Sequence, residues 1–283
     1  MTTESIRVDA KDGAELFAKV FRPATHPVGC IAMVHGYGEH TGRYLRVAEF
    51  FCARGYVFAI HDQRGHGRSP GKRGVAPSYA TLTSDIDLVL AWLEANHPGL
   101  PVCLYGHSMG GNLVLSRVLA DDLPASVRCV VAGSPWLRLA TAPPAFTVLM
   151  AKIVSKILPD FTAKSTLAID DLTRSASVRA ETKADPDYLD QIGARIFQEI
   201  SANGERILAG AAGVRIPLYV MVGTHDLVVS QPAVESFIKD CGNRCESRIW
   251  PEFYHELHNE PEGEQVLVEV AAFMDRTMKI QRG

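Results

Sequence analysis

Apolar residues along this 283-residue chain follow an alternating rhythm of short and longer segments. The short segments are nearly continuous apolar runs, typical of parallel strands buried on both faces, at 30–34, 56–60, 102–105, 127–132, 217–222 and 246–250. The longer segments carry apolar residues at three- and four-residue spacing, which predicts helices over 44–54, 83–96 and 109–120. This alternation indicates an α/β protein with a doubly wound, mostly parallel sheet.

A different pattern stands near the N-terminus. The strand-like stretches 6–8 and 16–21 flank the pair Asp12-Gly13. An Asp-Gly pair between two such stretches is typical of a tight hairpin turn. We therefore expect two antiparallel strands at the start of the sheet.

The rhythm stops between residue 134 and about residue 213, where the pattern becomes mostly helical and strand-like runs vanish. This predicts a core formed by 1–134 and 214–283, with a helical cap, 135–213, inserted into it. Within the cap, 145–158 is an amphipathic helix with Lys152 and Lys156 on its polar side. The helix is too short to span a membrane. We expect this helix either to pack against the core or to form a lid that touches acyl chains or a lipid interface. The two roles are compatible.

Composition narrows the classes of function. With 47% hydrophobic residues and 22% charged residues, the chain has ample material for a globular core. Its net charge of −3, without a block of lysines or arginines, argues against a nucleic-acid partner. The first residues do not resemble a secretory signal, so we expect a cytoplasmic protein. Cys241 and Cys245 have no second Cys/His pair with metal-site spacing, so we expect no metal.

The strongest chemical signal is Gly106-His107-Ser108-Met109-Gly110, a G-x-S-x-G between a predicted strand and a predicted helix. A nucleophilic serine on a strained strand-to-helix turn needs glycines at −2 and +2, because side chains there would collide with the backbone. The following helix favours negative charge at its N-terminus. Ser108 is therefore the predicted nucleophile of a serine hydrolase.

A serine nucleophile needs a histidine base and an acid that holds the histidine's tautomer. In this type of fold the chain order is Ser, Asp or Glu, then His. Asp226 follows the predicted strand 217–222, and His255 follows the last strand-like run. His258 is the rival base, but we expect it to be a solvated loop residue.

Negative charge on the substrate oxygen requires two backbone N–H donors. Met109, directly after the nucleophile, supplies the first, and Tyr37 in the loop His35-Gly36-Tyr37-Gly38 is the predicted second. The segment 62–69 follows a strand and superficially suggests a phosphate-binding loop. It lacks both the Walker lysine pattern and G-x-G-x-x-G, so we interpret it as scaffold.

Several motifs together resemble the monoacylglycerol lipase and lysophospholipase branch of the α/β-hydrolases. The resemblance covers nearly the whole chain and rests on HGYGEH with Arg43-Tyr44, DQRGHGRS at 62–69, GHSMGG at 106–111, GTHD at 223–226 and YHELHNEP at 254–261. In the cap, RIFQEI at 195–200 and GER at 204–206 are similar to that family's second half. Tyr37 is bulky where the family often has a small residue, which would narrow the glycerol side of the pocket.

The resemblance implies an eight-stranded, mostly parallel sheet with a helical cap, and a triad of Ser108, Asp226 and His255. It implies oxyanion donors at Tyr37 and Met109, no cofactor, and hydrolysis of single-chain acyl esters such as monoacylglycerols. The alternatives are a lysophospholipase, a general carboxylesterase, or a non-catalytic ligand-binding protein, although the last usually has a broken triad. The cations available to a phosphate headgroup are Arg43, Arg64, Lys72 and Arg73, for which solvation on the surface is the simpler interpretation.

Overall fold

The computed structural model describes residues 1–165 and 167–280. Residue 166 of the predicted cap and residues 281–283 of the predicted core lie outside the described residues. The strands of the described part are β1 (Thr2–Asp9), β2 (Glu15–Arg22), β3 (Gly29–Val34), β4 (Tyr56–His61), β5 (Val102–His107), β6 (Val127–Gly133), β7 (Thr162–Lys164), β8 (Gln191–Gly193), β9 (Leu218–Gly223) and β10 (Cys245–Trp250). Its helices are α1 (Leu45–Ala53), α2 (Tyr79–Asn96), α3 (Met109–Ala120), α4 (Ala145–Ile157), α5 (Ala176–Ala184), α6 (Ala194–Gly210), α7 (Gln231–Cys241) and α8 (Gly263–Met278).

Within the described ranges, eight strands form one sheet in the order β1-β2-β4-β3-β5-β6-β9-β10. The pairs β1–β2 and β2–β4 are antiparallel, and all other neighbours in the sheet are parallel. The predicted fold class and the N-terminal hairpin are therefore confirmed. Strands β3, β4, β5 and β9 are buried at every position, which explains their continuous apolar sequences.

Helices cover both faces of the sheet. Phe51 of α1 and Phe273 of α8 pack in one apolar layer, and Leu90 of α2 and Leu113 of α3 pack in the other. Because the parallel strands run in the same direction, the loops after β3, β5, β9 and β10 meet at one edge of the sheet. Ligand sites of open α/β sheets lie at this edge.

The chain between β6 and β9, residues 134–217, leaves the sheet; we call it the insertion. The expectation that strands vanish there is wrong, because β7 and β8 pair antiparallel, with Thr162 opposite Gly193. Each of these strands has three residues and little buried surface, so no apolar run marks them in the sequence. The division into a core and a cap at 135–213 stays a prediction.

Helix α4 of the insertion confirms the predicted amphipathic helix, but its apolar side chains face outward. The large apolar side chains exposed on α4 and just after it are Phe146, Val148, Leu149, Met150, Ile153, Ile157, Leu158 and Phe161. Helix α6 is its main neighbour. In the ranges 1–165 and 167–280, no helix combines the length and apolar character needed to cross a membrane.

Leu104 lies at the centre of β5 and is fully buried. Its replacement in Leu104→Ala should lower the free energy of unfolding by about 2–5 kcal/mol, because a cavity remains where the side chain packed. Urea denaturation measures this as a lower midpoint with an unchanged m-value. The matched control is Leu45→Ala at a 46% exposed leucine, which should change stability by less than about 1 kcal/mol. Equal losses in the two variants would contradict the assigned core.

Candidate active site

Ser108 occupies the turn between β5 and α3 in a strained backbone conformation, with φ 53° and ψ −114°. A Cβ atom at Gly106 would overlap the carbonyl oxygen of Gly110, and one at Gly110 would overlap the carbonyl oxygen of Val34. The requirement for glycine at both positions is therefore confirmed. The turn points the hydroxyl of Ser108 toward the carboxyl edge of the sheet.

His255 and Asp226 come together with Ser108 at this edge. The His255 Nε2 atom lies 2.9 Å from Ser108 Oγ, and His255 Nδ1 lies 2.8 Å from Asp226 Oδ2. The other carboxylate oxygen, Asp226 Oδ1, accepts the N–H groups of Val228 and Val229 at 2.9 Å each. Because a carboxylate only accepts hydrogen bonds, Nδ1 carries the proton and Nε2 can accept the hydroxyl proton of Ser108.

The electrostatic surroundings of His255 suit a base. Burial alone lowers the pKa of its imidazole, but the carboxylates of Asp226, Glu256 and Glu39 together raise that pKa above its ordinary value. Asp226 accepts three hydrogen bonds, and its carboxylate is fully enclosed. The imidazolium formed by proton transfer would therefore be stabilised by a fixed negative charge.

Ser134 supports the position of His255 and was missed in the sequence. It follows β6 and is fully buried, and its Oγ donates to the carbonyl oxygen of His255 at 2.8 Å. Its own N–H donates to the carbonyl oxygen of Met221 in β9 at 2.7 Å. The serine therefore links the ends of β6 and β9 to the loop that carries His255. The only available signal was its place directly after a predicted strand.

The N–H groups of Tyr37 and Met109 donate to no protein acceptor among the residues that the structure describes. Met109 is the first residue of α3, where backbone N–H groups lack partners within the helix. Tyr37 lies in the loop after β3, whose Gly36 N–H donates to Glu39 Oε2 at 2.7 Å. Both predicted donors are thus available, and their role in an oxyanion hole stays a prediction.

A chain of buried charges lies beneath the loop after β3. Arg43 contacts Glu39 Oε1 at 3.4 Å and Glu256 Oε1 at 2.9 Å, and Tyr44 donates its hydroxyl to Glu39 Oε2 at 2.8 Å. Burial alone raises the pKa of Glu39, but the neighbouring imidazoles and Arg43 lower it, so the carboxyl is ionised. The expectation that Arg43 is solvated is wrong, because only 7% of its side chain is exposed. The sequence showed these residues inside its motifs without indicating that they meet.

His258 is not the solvated loop residue that we expected. Its ring stacks on Tyr44 with centroids 5.2 Å apart and meets His107 edge-on at 5.2 Å. Burial lowers the pKa of both His258 and His107. The short helical turn after His255 folds this segment inward, which no apolar pattern announced. The His107 ring also lies near that of His255, with centroids 4.9 Å apart.

The loop 62–69 holds its own backbone together, as expected for a scaffold. Asp62 accepts the N–H groups of Thr41 at 2.6 Å and Arg68 at 2.8 Å. Arg64 is enclosed rather than solvated, since its guanidinium binds Asp85 at 2.7 Å and Asp12 at 2.7 Å. Its predicted surface location is therefore wrong.

Metal ligands do not cluster in this chain as far as the structure describes it: no group of three or more His, Cys, Asp or Glu side chains could hold an ion. All six cysteines are free thiols.

A model of the family Hydrolase_4, described as serine aminopeptidase S33, matches residues 25–262. The chain belongs to this family of serine hydrolases. Monoacylglycerol lipase from Mycolicibacterium smegmatis is 30% identical over 264 residues, which are 93% of each chain. Phospholipase YtpA from Bacillus subtilis is 30% identical over 256 residues, covering 89% of this chain and 97% of that protein.

Among solved structures, the monoacylglycerol lipase of Paleococcus ferrophilus superposes with a TM-score of 0.84 at 28% sequence identity. The match covers 93% of this chain and 99% of that structure. The α/β-hydrolase fold and the resemblance to the monoacylglycerol lipase branch are both confirmed. The protein is a serine hydrolase of the Hydrolase_4 family.

The raised pKa of His255 predicts the pH dependence of this hydrolase. A histidine base accepts a proton only when neutral, so with His255 in the predicted role kcat/KM should rise with pH through an apparent pKa above the ordinary histidine value of about 6.5. In Asp226→Asn the carboxylate is lost while burial remains, so this limb should move to lower pH and kcat should fall by about 10⁴. Stopped-time assays with p-nitrophenyl butyrate across pH measure both quantities. An unmoved acid limb in Asp226→Asn would contradict the coupling between Asp226 and His255.

Proposed function

We propose that this hydrolase cleaves monoacylglycerols into fatty acid and glycerol, with Ser108 as nucleophile, His255 as base and Asp226 as its partner. The observation that carries the proposal is the continuous hydrogen-bonded line from Ser108 Oγ through the imidazole to Asp226, at 2.9 Å and 2.8 Å. Relatives described as monoacylglycerol lipases, matched over nearly the whole chain, support the substrate class.

The reaction proceeds in two halves. Ser108 Oγ attacks the ester carbonyl carbon while His255 Nε2 accepts the hydroxyl proton, and the N–H groups of Tyr37 and Met109 bind the oxyanion. The imidazolium returns the proton to the departing glycerol oxygen, which leaves an acyl ester on Ser108. Water then gives its proton to His255 and attacks the acyl carbon, and the fatty acid leaves as Ser108 regains its proton.

The surroundings favour an uncharged headgroup over a lysophospholipid, the second candidate suggested by the relative described as a phospholipase. The four cations that the sequence offers to a phosphate group already have partners. Arg43 and Arg64 lie in buried ion pairs. Lys72 donates to the carbonyl oxygen of Asp160 at 2.7 Å, and Arg73 donates to that of Asp187 at 2.7 Å. A phosphate could therefore bind Arg43 or Arg64 only by displacing their buried ion pairs.

The insertion is the proposed cap over this site, and α4 is its proposed contact with a lipid surface. Ser108 is only 7% exposed, so a long acyl chain reaches it only if part of the covering structure moves. Phe146 and Ile157 of α4 are 72% and 70% exposed, which is unusual for side chains of this size. Lys152 and Lys156 on the same helix are exposed cations that suit an anionic membrane surface.

Substrate choice and the nucleophile are tested together. Fatty-acid release should be far faster from medium- and long-chain monoacylglycerols than from the matching lysophosphatidylcholine. In Ser108→Ala, kcat should fall on the order of 10⁴ or more, because attack and proton transfer are lost together. A Ser108→Ala variant with most of its turnover would rule out the proposed nucleophile, and cleavage of p-nitrophenyl butyrate alone would indicate a general esterase.

The choice of base has its own control pair. His255→Ala should abolish turnover, whereas His258→Ala should remain active, because only His255 contacts Ser108. Labelling with a fluorophosphonate probe reports the reactivity of Ser108 in each variant. Thermal unfolding, measured beside it, separates loss of the base from loss of the fold. The reverse order of activities would show that His258 is the base.

The lipid contact of α4 is tested by sedimentation with anionic phosphatidylglycerol vesicles. Leu149→Ser and Ile157→Ser should each weaken binding by roughly tenfold, since burying such a side chain is worth about 1.5–3 kcal/mol. Reversing the charge of Lys152 and Lys156 to Glu should weaken it further in a salt-dependent way. The control is Val268→Ser on α8, which is similarly exposed at 46%. If the α4 variants sediment like Val268→Ser, α4 is not the membrane contact.

A further inference from the structure

The side chain of Tyr37 crosses from the loop after β3 to the insertion. Its hydroxyl donates to the carbonyl oxygen of Gln191 in β8 and lies 3.3 Å from the carbonyl oxygen of Gly74. Both partners are backbone acceptors, so the phenol must keep its proton to hold them. Burial raises the pKa of the Tyr37 phenol, which keeps it protonated.

The contact between the phenol, Gly74 and β8 is closely packed. Gly74 has φ +74°, and a Cβ there would lie 2.6 Å from Tyr37 Oη and 2.7 Å from the carbonyl oxygen of Gln191. The Gly193 N–H also donates to the carbonyl oxygen of Gly74 at 2.9 Å. Three segments that are distant in sequence therefore meet at the Tyr37 hydroxyl.

A hydrogen bond to His35 holds the peptide group that links Gly36 to Tyr37. The Gln63 N–H donates to His35 Nε2 at 2.9 Å, so His35 Nδ1 carries the proton that bonds the carbonyl oxygen of Gly36 at 2.7 Å. The carbonyl and the N–H of one peptide point in opposite directions. Fixing the Gly36 carbonyl toward His35 therefore turns the Tyr37 N–H away from His35.

The residue after Tyr37, Gly38, is bound to the insertion as well. Leu189 donates its N–H to the carbonyl oxygen of Gly38 at 3.0 Å. Tyr37 is thus tied to the insertion by its side chain, through Gln191, and by its next neighbour in the chain, through Leu189. Helix α4 has no such bond to this loop in the described residues.

We propose that the Tyr37 phenol is a positioning group for the oxyanion hole, which couples the seating of β8 to the orientation of the Tyr37 N–H. The inference rests on the proposed role of that N–H as an oxyanion donor. While Gln191 of β8 accepts the hydrogen bond of the phenol, the side chain holds Cα of residue 37 in place. The N–H of Tyr37 then faces the reacting carbonyl group. When β8 moves away, the loop loses this support and stabilises the oxyanion less.

Tyr37→Phe tests the proposal by removing one hydroxyl while keeping the ring and the backbone N–H. On p-nitrophenyl butyrate, kcat should fall by about tenfold or more while KM changes little, because the lost support acts in the transition state; loss of a whole donor costs about 10²–10³. Affinity for a trifluoromethyl ketone, whose adduct places an oxyanion in the hole, should fall in parallel with kcat. The matched control is Tyr219→Phe, which removes another largely buried hydroxyl, bonded to Glu269 at 2.8 Å and remote from Ser108.

Gly74→Ala provides the second arm, since its added methyl would collide with both the phenol and the carbonyl oxygen of Gln191 and so separate β8 from Tyr37. It should lower kcat as Tyr37→Phe does, and its effect should largely disappear when it is combined with Tyr37→Phe. Thermal unfolding of each variant separates loss of the fold from loss of positioning. A Tyr37→Phe enzyme with kcat and ketone affinity within twofold of wild type would overturn the proposal.

A second pair of variants distinguishes failure of the positioning proposal from failure of the assignment of the Tyr37 N–H as an oxyanion donor. Tyr37→Ala and Tyr37→Pro both lose the phenol, but only Tyr37→Pro loses the N–H. If folded Tyr37→Pro is at least tenfold less active than Tyr37→Ala, the N–H is a donor whatever the result for the phenol. If the two are equally active, the donor assignment itself is wrong, and the positioning proposal is wrong with it.

Discussion

The backbone turn at Ser108 is the constraint on which the rest of the site depends. A serine at φ 53° costs about 1–3 kcal/mol of local strain, which persists only because its surroundings leave no alternative. Strand β5, which ends just before Ser108, is buried along its whole length, and α3 begins just after it at Met109. The close approaches at Gly106 and Gly110 fix the path of the chain between the strand and the helix. The strain places one hydroxyl within reach of an imidazole brought from the far end of the chain.

Around that turn, the protein buries two carboxylates and gives each of them several partners. Asp226 accepts hydrogen bonds from two backbone N–H groups and from His255, while Glu39 pairs with Arg43 and accepts the hydroxyl of Tyr44. In a low-dielectric interior an unpaired member of either group would be strongly destabilising. These networks therefore fix the loops after β3, β9 and β10 relative to one another. Fixed dipoles and charges of this kind are what stabilise developing charge in a transition state.

The sheet was predictable because local signals specify it, and similar signals indicated the three residues that the structure brings together at its carboxyl edge. Continuous apolar runs mark strands buried on both faces, and G-x-S-x-G marks Ser108 because the turn excludes side chains on both sides. Asp226 and His255 followed from chain order and from their places after predicted strands. The strand and turn signals use residues that lie close together in the sequence, whereas the chain order is a property of the whole fold.

What the sequence did not reveal depends on contacts between distant segments. The strands β7 and β8 are short and lie at the surface, so no apolar pattern accompanies them. The burial of His258 and Arg43 depends on Tyr44, Glu39 and Glu256 meeting in space. The outward-facing apolar side chains of α4 follow the same helical period as those of a core helix, so periodicity cannot tell a lipid-facing surface from a packed one.

The most direct test of the central claim is to detect the acyl ester on Ser108 during turnover of a natural type of substrate. The enzyme would be mixed with monooleoylglycerol, quenched in acid within one turnover, digested, and examined by mass spectrometry. The account predicts an oleoyl ester on the peptide that contains Ser108, which disappears when the substrate is exhausted and is absent from Ser108→Ala. An enzyme that releases oleate without that adduct, or carries it on another residue, would contradict the account.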